Sequence, residues 1–176
     1  AIRMYQQVLK VNPDHRDALF NLASAYIQLK AYSEAFPLLK KLRSYDDGNT
    51  EILLNLAIVE IGMGNSTEAI HLLDLAANQY QEPKFEIYFH RAAALSRLGR
   101  LEEALLSYKK AEELNPKHPN LNFNLAVLYD NLHQYNEAVN YYRAFVQYSD
   151  NLPRYEEKKI ESRLRSLQAY LAGNRS

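Results

Sequence analysis

Apolar residues recur along this chain at spacings of three and four, which is the pattern of helices with one buried face. Leu19 and Leu22 share one such face, and a second stretch carries Ala35 and Leu39. A short, polar-rich turn of sequence Lys-Ala-Tyr-Ser, at 30–33, separates the two stretches. The pattern therefore predicts two antiparallel helices that are joined by a tight turn.

The turn itself suggests where the second helix begins. Ser33 is placed to cap that helix, because a hydroxyl oxygen can accept a hydrogen bond from an N–H group of the first turn. Pro37 would then fall at the edge of the first turn, where its missing N–H begins to matter. We expect a small distortion there and no functional role.

The hairpin pattern repeats four times along the chain. The segments LFNLASAYIQLKAYSEA, LLNLAIVEIGMGNSTEA, YFHRAAALSRLGRLEEA and NFNLAVLYDNLHQYNEA align, and successive segments are 34, 35 and 34 residues apart. A fixed period near 34 predicts a stacked array, because a single hairpin cannot bury its apolar face alone. The predicted units span residues 16–49, 50–84, 85–118 and 119–151.

Alanine recurs where the two helices of each unit should touch. A small side chain on both helices lets their axes approach closely, while larger neighbours fill the surrounding space. These alanines are Ala23, Ala57, Ala92 and Ala126 in the first helices, and Ala35, Ala69, Ala104 and Ala138 in the second helices.

The period and its residues resemble the tetratricopeptide repeat, over residues 1 to about 150. Three positions depart from the family pattern, because Glu60 replaces a Tyr, Arg91 replaces a Leu and Asn122 stands at a large-residue position. The resemblance implies an all-α fold, a right-handed α–α superhelix of antiparallel helix pairs. It is carried by Leu22-Ala23, Tyr26 and Ala35, by Leu56-Ala57 and Ala69, by Ala92, Leu95, Ala104, Tyr108 and Pro116, and by Leu125-Ala126, Tyr129, Ala138 and Tyr142.

The two ends of the chain fit the same interpretation. Residues 1–15 resemble the second helix of a preceding partial repeat, so we expect the sequence to be part of a longer protein. Residues 152–172 predict a capping helix, because one apolar stripe runs under a charged surface. The stripe consists of Tyr155, Ile160, Leu164, Leu167 and Leu171.

Composition narrows the classes of function. The 176 residues include no cysteine, and 21 Lys and Arg residues balance 21 Asp and Glu residues. The balanced charge argues against nucleic-acid binding, and no apolar run approaches the roughly 20 residues that membrane insertion needs. The five histidines lack the spacing of paired ligands, so we expect no metal site, no cofactor and no catalytic site. Glycosylation sequons at Asn65 and Asn174 are attributed to chance.

The resemblance also implies a binding surface, because the first helices of such arrays line a concave groove. By helical geometry, the second, fifth, sixth, ninth, twelfth and thirteenth residues of each unit should face that groove. The sixth residues could grip the backbone of a bound peptide, since an amide both donates and accepts hydrogen bonds. Alternatively, these residues simply face water. They are Asn21, Asn55, His90 and Asn124.

The remaining groove positions predict the chemistry of a partner. The fifth residues, expected to be partly buried, would form an apolar floor, and the charged residues sum to about −3, with four acidic side chains and one basic. A protein or peptide segment that is apolar and mildly basic should fit, whereas chaperone tails that end in acidic residues should not. The floor is Phe20, Leu54, Phe89 and Phe123, and the charges are Asp17, Glu51, Glu86, Asp130 and Arg97.

Sequence reasoning leaves two alternatives to this peptide-binding scaffold. The N-terminal half repeat exposes apolar residues, among them Ile2, Tyr5, Val8 and Leu9, through which the chain could form a homo-oligomer. The array could also be the docking arm of an enzyme whose catalytic domain lies outside these residues.

Overall fold

The computed structural model describes residues 1–80, 82–150 and 152–173 of the chain, and every regular element in these ranges is an α-helix. The predicted all-α fold is therefore confirmed. The sequon at Asn174 lies outside the described residues. The helices are α1 (Ile2–Val11), α2 (Arg16–Gln28), α3 (Tyr32–Tyr45), α4 (Thr50–Met63), α5 (Ser66–Gln79), α6 (Phe85–Arg97), α7 (Leu101–Leu114), α8 (Pro119–Asn131), α9 (Tyr135–Tyr148) and α10 (Arg154–Gly173).

The helices pack as antiparallel pairs that stack side by side. The pairs are α2 with α3, α4 with α5, α6 with α7, and α8 with α9. The second helices α3, α5 and α7 also contact the first helix of the next pair. The first helices α2, α4, α6 and α8 contact one another in succession. Over the same described ranges, the second helices α3, α5, α7 and α9 make no such contacts. Because the stack is closer on the side of the first helices, it curves, and those helices form its inner wall.

The recurrent alanines lie at the helix crossings, as predicted. All eight are completely buried, which means that the paired backbones approach to the distance that a methyl group allows. Leucines on either side, such as Leu39, Leu53, Leu73 and Leu125, are buried as well and fill the space beside each crossing. The core is therefore one continuous stripe along the stack.

The turns between paired helices are closed by backbone hydrogen bonds. The prediction that Ser33 caps the second helix is therefore wrong. Helix α3 begins at Tyr32, with Ala31 at its N-cap, and the Ser33 hydroxyl donates to the Glu34 carboxylate at 2.9 Å. Pro37 consequently lies inside α3 rather than at its edge, and the helix continues through it to Tyr45.

The same closure is found in all four turns. In each, a backbone N–H donates to the carbonyl oxygen five residues earlier, at 2.8 to 3.0 Å, and the residue before that N–H has a positive φ. This combination is the Schellman motif, which satisfies the last carbonyls of the first helix without any side-chain cap. The residues with positive φ are Lys30 (57°), Gly64 (92°), Gly99 (73°) and His133 (58°).

The three departures from the family pattern each make hydrogen bonds. In α8, buried Asn122 donates to the carbonyls of Pro116 and His118 at 2.9 and 3.0 Å. In α6, Arg91 donates to Asp74 at 2.9 Å and also bonds Ser107. In α4, buried Glu60 accepts from Asn65 at 2.7 Å. Polar groups in these places are tolerated because each finds a partner.

The helices at the two ends are packed differently. Helix α1 contacts α2 but buries no residue completely, and Met4, Val8 and Val11 are exposed. Helix α10 contacts α9 through buried Ile160 and Leu167. The prediction that Tyr155 belongs to the buried stripe of α10 is wrong, because 72% of this residue is exposed. No helix within the described ranges is both long and apolar enough to cross a membrane.

Candidate peptide-binding groove

The sixth residues of the four units lie on the inner wall, one on each of the helices α2, α4, α6 and α8. Asn21 is exposed, whereas Asn55, His90 and Asn124 are half-buried. Because consecutive first helices contact one another, the four side chains follow each other along the stack. Asn124 also interacts with the hydroxyl of Tyr108, whose pKa burial raises to about 12. The predicted residues thus occupy equivalent positions on four successive first helices, which we call the row, and Asn124 is partly engaged by the protein itself.

His90 interrupts the row of asparagines but retains the hydrogen-bonding capacity of an amide. Its burial lowers the pKa of the imidazole to about 4, and the nearby Glu86 carboxylate opposes that shift only partly. At neutral pH the ring is therefore uncharged, with one nitrogen that donates and one that accepts. The ring lies edge-on to Phe89, with centroids 5.3 Å apart. Sequence reasoning identified the position but not its charge state.

The predicted apolar floor is half-buried at each of its four positions, which are Phe20, Leu54, Phe89 and Phe123. Phe89 contacts Tyr108 edge-on at 6.0 Å between ring centroids, and Phe123 contacts Tyr142 in the same way at 6.4 Å. Each tyrosine belongs to the second helix of the same pair. Phe89 and Phe123 are therefore held in place by the second helices of their own pairs, and all four floor residues keep part of their surface exposed.

Two of the five predicted charged residues are occupied within the protein. Asp130 accepts two hydrogen bonds from the Arg163 guanidinium, at 2.7 and 2.5 Å, and one from the Tyr142 hydroxyl at 3.3 Å. Only 12% of the Asp130 side chain is exposed. Arg97 donates to the carbonyl oxygen of Ile61, at the end of α4. Arg163 neutralises Asp130, so the prediction that Asp130 contributes to the charge of the groove is wrong, whereas the exposed Arg97 guanidinium keeps its positive charge.

The acidic character of the inner wall rests on its second residues. Asp17, Glu51 and Glu86 are exposed, and no ion pair joins them within the described ranges. Asp17 and Glu51 lie at the mouth of a pocket of about 350 Å³ between α2 and α4, whose floor includes Phe20. Three carboxylates without a counter-ion therefore lie on the first helices α2, α4 and α6.

Arg163 is a structurally important residue that sequence reasoning missed. The sequence places it only on the charged surface of the C-terminal helix, because nothing local connects it with a residue 33 positions earlier. The Asp130 carboxylate holds the pKa of Arg163 above its usual value. This ion pair links α10 to α8 through side chains, while the helix itself packs on α9.

The described residues contain no group of three or more His, Asp or Glu side chains that could hold a metal ion. His118 and His15 instead cap the helices α8 and α2, each through a ring nitrogen that accepts a backbone N–H at 3.3 Å. The chemistry of the inner wall is therefore that of amide, carboxylate and apolar groups.

Four family models match the chain, and together they extend from residue 1 to residue 151. Three are described as tetratricopeptide repeat and match residues 1–49, 29–94 and 119–151. The fourth, described as TPR repeat, matches residues 94–132.

Curated relatives include a subunit of the BBSome. The chain is 29% identical to the BBSome complex member BBS4 of Mus musculus, over 81% of this chain and 27% of that protein. It is 31% identical to BBS4 of Bos taurus, over 70% of this chain and 24% of that protein. The chain therefore spans about a quarter of the length of these relatives.

Solved structures share the fold at low sequence identity. A thermophilic TPR protein of Thermus thermophilus has a TM-score of 0.71 at 21% identity, with 96% of this chain and 89% of that chain covered. YrrB, a TPR protein described as having an unusual peptide-binding site, has a TM-score of 0.67 at 21% identity, with coverages of 90% and 81%. The repeated match of family models, the paired helices and these shared folds agree, and the chain belongs to the tetratricopeptide-repeat family.

Proposed function

We propose that this chain is a non-catalytic scaffold that binds an extended or helical segment of a partner protein along its inner wall. The observation that supports the proposal is the row formed by Asn21, Asn55, His90 and Asn124 above an apolar floor. Each member of the row can donate and accept one hydrogen bond, which matches the alternating N–H and C=O groups of a peptide backbone.

The partner segment should be apolar and mildly basic. The half-buried floor residues offer apolar edges, and the free carboxylates of Asp17, Glu51 and Glu86 favour lysine or arginine on the partner. A segment that ends in acidic residues would meet like charges along most of the wall. Affinity should be moderate, because the segment loses conformational entropy when it is bound.

The assignment of residues to individual repeats is part of the same proposal. We assign residues 16–49, 50–84, 85–118 and 119–151 to four repeats, residues 1–15 to the second helix of a partial repeat, and residues 152–172 to a cap. Helix α10 suits that role because it covers α9 with one side and exposes charged residues on the other.

The relatives support a role in a protein assembly. BBS4 is named as a member of the BBSome complex, and YrrB is described by its peptide-binding site. By analogy, we place this chain as a binding module within a larger assembly. In that role the array would bring other chains together.

The proposal is tested with decapeptides that are selected from a random phage-displayed library on the immobilised protein and then synthesised. The double variant Asn55→Ala/Asn124→Ala removes two amides from the row. Because a net hydrogen bond contributes about 0.5–1.5 kcal/mol, loss of two should raise the Kd roughly 5- to 150-fold, measured by fluorescence polarisation.

The matched control is Asn78→Ala/Asn140→Ala, which removes two exposed asparagines from the second helices α5 and α9. It should bind the same peptides as the wild-type protein does. Equal affinities for the wild-type protein and the Asn55/Asn124 variant, with unchanged melting temperatures, would contradict the proposed role of the row.

Self-association is a second candidate, and the surface of α1 favours it. Met4 and Val11 are 68% and 89% exposed, and no residue of this helix is completely buried. Burial of this apolar surface against a second copy would be favourable. Light scattering over a concentration series tests the idea: the variant Val11→Asp should remain monomeric where the wild-type protein dimerises. A wild-type protein that stays monomeric at all concentrations would rule it out.

A further inference from the structure

A pocket at the N-terminal end of the inner wall combines an apolar floor with an acidic rim. It lies between α2, the C-terminal end of α3 and the N-terminal end of α4, and it encloses about 350 Å³. We call it the α2–α4 pocket; its floor consists of Phe20, Leu42 and Ile52, and its rim carries Asp17, Asp46 and Glu51. We propose that this pocket binds a lysine or arginine side chain of the partner segment, an inference that rests on the proposed function.

The rim of the α2–α4 pocket has an excess of negative charge. Its three carboxylates are exposed and form no ion pair within residues 1–80, 82–150 and 152–173. Arg16, the cation among the lining residues, lies over the ring of Tyr45 at 4.9 Å from its centroid, and three carboxylates against one guanidinium leave a net charge of −2. Lys41 of α3 pairs with Asp14 at 2.7 Å, and neither of these two lines the pocket. A cationic side chain of the partner would therefore be attracted to the rim.

The floor of the α2–α4 pocket suits the apolar stem of a long cationic side chain. Leu42 and Ile52 are buried and Phe20 is half-buried, so apolar groups lie at the bottom while the carboxylates lie at the mouth. Lysine and arginine place a charge at the end of a methylene stem, and such side chains commonly bury the stem along apolar surface while the charged head reaches polar groups. The volume lies within the range of roughly 300–1,000 Å³ that ligand pockets have.

The position of the α2–α4 pocket along the groove specifies where the basic residue of the partner would lie. Asn21, the first member of the row, also lines this pocket, so a segment whose backbone is bound by Asn21 would have a neighbouring side chain within reach of the pocket. At the other end of the wall, the pocket between α8, α9 and α10 is lined by one carboxylate, of Glu156, and one ammonium, of Lys159, and has no net charge. A basic residue of the partner is therefore favoured at the α2 end of the groove.

Four decapeptide pools separate the contribution of charge from that of the stem. The central residue is fixed as lysine, arginine, norleucine or 2,4-diaminobutyric acid, and all other positions are random mixtures of uncharged amino acids. Norleucine keeps the stem of lysine without its charge, whereas diaminobutyric acid keeps the charge on a shorter stem. The fraction of each pool that the immobilised protein retains is measured at about 0.1 M salt, where charges interact over about 10 Å. We expect the lysine and arginine pools to be retained about twofold to fivefold better than either of the other two.

Variants at Asp46 connect the preference with the pocket. Asp17 and Glu51 lie in the first turns of α2 and α4, where a carboxylate also stabilises the helix, and Asp46 does not. Asp46→Lys should lower the preference for lysine over norleucine to about one, and Asp46→Asn, which keeps the shape of the side chain, should lower it by about 1.5- to 3-fold. The matched control Asp47→Lys makes the same charge change on an exposed neighbour that does not line the pocket, and it should keep at least about half of the preference.

The outcomes separate this inference from the proposed function. If no pool is retained above a protein-free surface, or if Asn55→Ala/Asn124→Ala retains all pools as well as the wild-type protein does, the groove fails and the inference about the α2–α4 pocket fails with it. If retention depends on the two asparagines but Asp46→Lys and Asp47→Lys behave alike, the groove stands and the inference is overturned. Equal retention of the lysine and diaminobutyric acid pools would also overturn it, because the stem would then not enter the pocket.

Discussion

The ion pair between Asp130 and Arg163 should be the main polar link that holds α10 on the stack. The two side chains are joined by two short hydrogen bonds, and the Asp130 carboxylate also accepts from Tyr142. Asp130 is 12% exposed and Arg163 is 46% exposed, so the pair lies between a surface ion pair and a buried one. Loss of Arg163 would leave a largely desolvated carboxylate without a cation.

The exposed fractions of the two side chains limit the coupling energy of the ion pair. Exposed ion pairs contribute about 0.2–1 kcal/mol, and hydrogen bonds to charged groups about 1.5–3 kcal/mol. Because Arg163 is nearly half exposed, we place the coupling energy of the pair at about 1–2 kcal/mol. A double-mutant cycle of Asp130→Asn and Arg163→Ala, followed by urea unfolding at neutral pH, measures this energy.

A second pair in the same helix provides the control. Glu161 and Arg165 are separated by 4.0 Å and are both largely exposed, so the corresponding cycle should give a coupling of about 0.5 kcal/mol or less. Equal coupling energies for the two pairs would refute the reasoning, because they would show that neither the burial of Asp130 nor its paired hydrogen bonds matter.

Three further changes should have measurable effects on stability. The pKa of His90 is about 4 in the folded protein and 6.5 as its ordinary value, so its contribution to the free energy of unfolding is complete above pH 6.5 and is lost as the pH falls towards 4. In urea unfolding over this pH range, the wild-type protein should lose up to about 3 kcal/mol more stability than the variant His90→Asn. The control variant His71→Asn, at an exposed position, should lose as much stability as the wild-type protein does. Gly62→Ala should destabilise the protein by about 1–3 kcal/mol in thermal unfolding, because the added Cβ overlaps the ring of Tyr32; an unchanged melting temperature would mean that the ring simply moves aside. Lys30→Gly should stabilise the protein by roughly 0.5–1 kcal/mol in urea, since Lys30 has a φ of 57° that glycine adopts without strain, and a loss of stability would contradict this account of the turn.

The sequence correctly predicted the features that depend only on residues within one repeat. Ala57 and Ala126 mark helix crossings because the stack has room only for a methyl group at these positions, and the same requirement recurs every 34 or 35 residues. The half-buried state of Phe89 follows from its helical position in the same way. Periodicity predicts helix packing well in such an array, because every unit must pack its helices in the same way.

The features that the sequence did not predict depend on backbone conformation or on distant residues. Ser33 is a good capping residue by type, but the backbone already closes the turn through the N–H of Ala31, and the helix begins before the serine. The neutral state of His90 results from burial that neighbouring helices create. Asp130 is bound by a residue 33 positions away, and no local pattern indicates that partner.

The inner wall combines residues that fold the protein with residues that are free to vary. Phe89 and Phe123 pack against tyrosines of their own units, so a change at either position would disturb the core as well as the groove. The exposed residues Asp17, Glu51 and Glu86 make no ion pair within the described ranges, so their substitution should leave the stack intact. If the inner wall binds a partner as proposed, selectivity should therefore reside in these exposed residues, because their charge can change without a cost to folding.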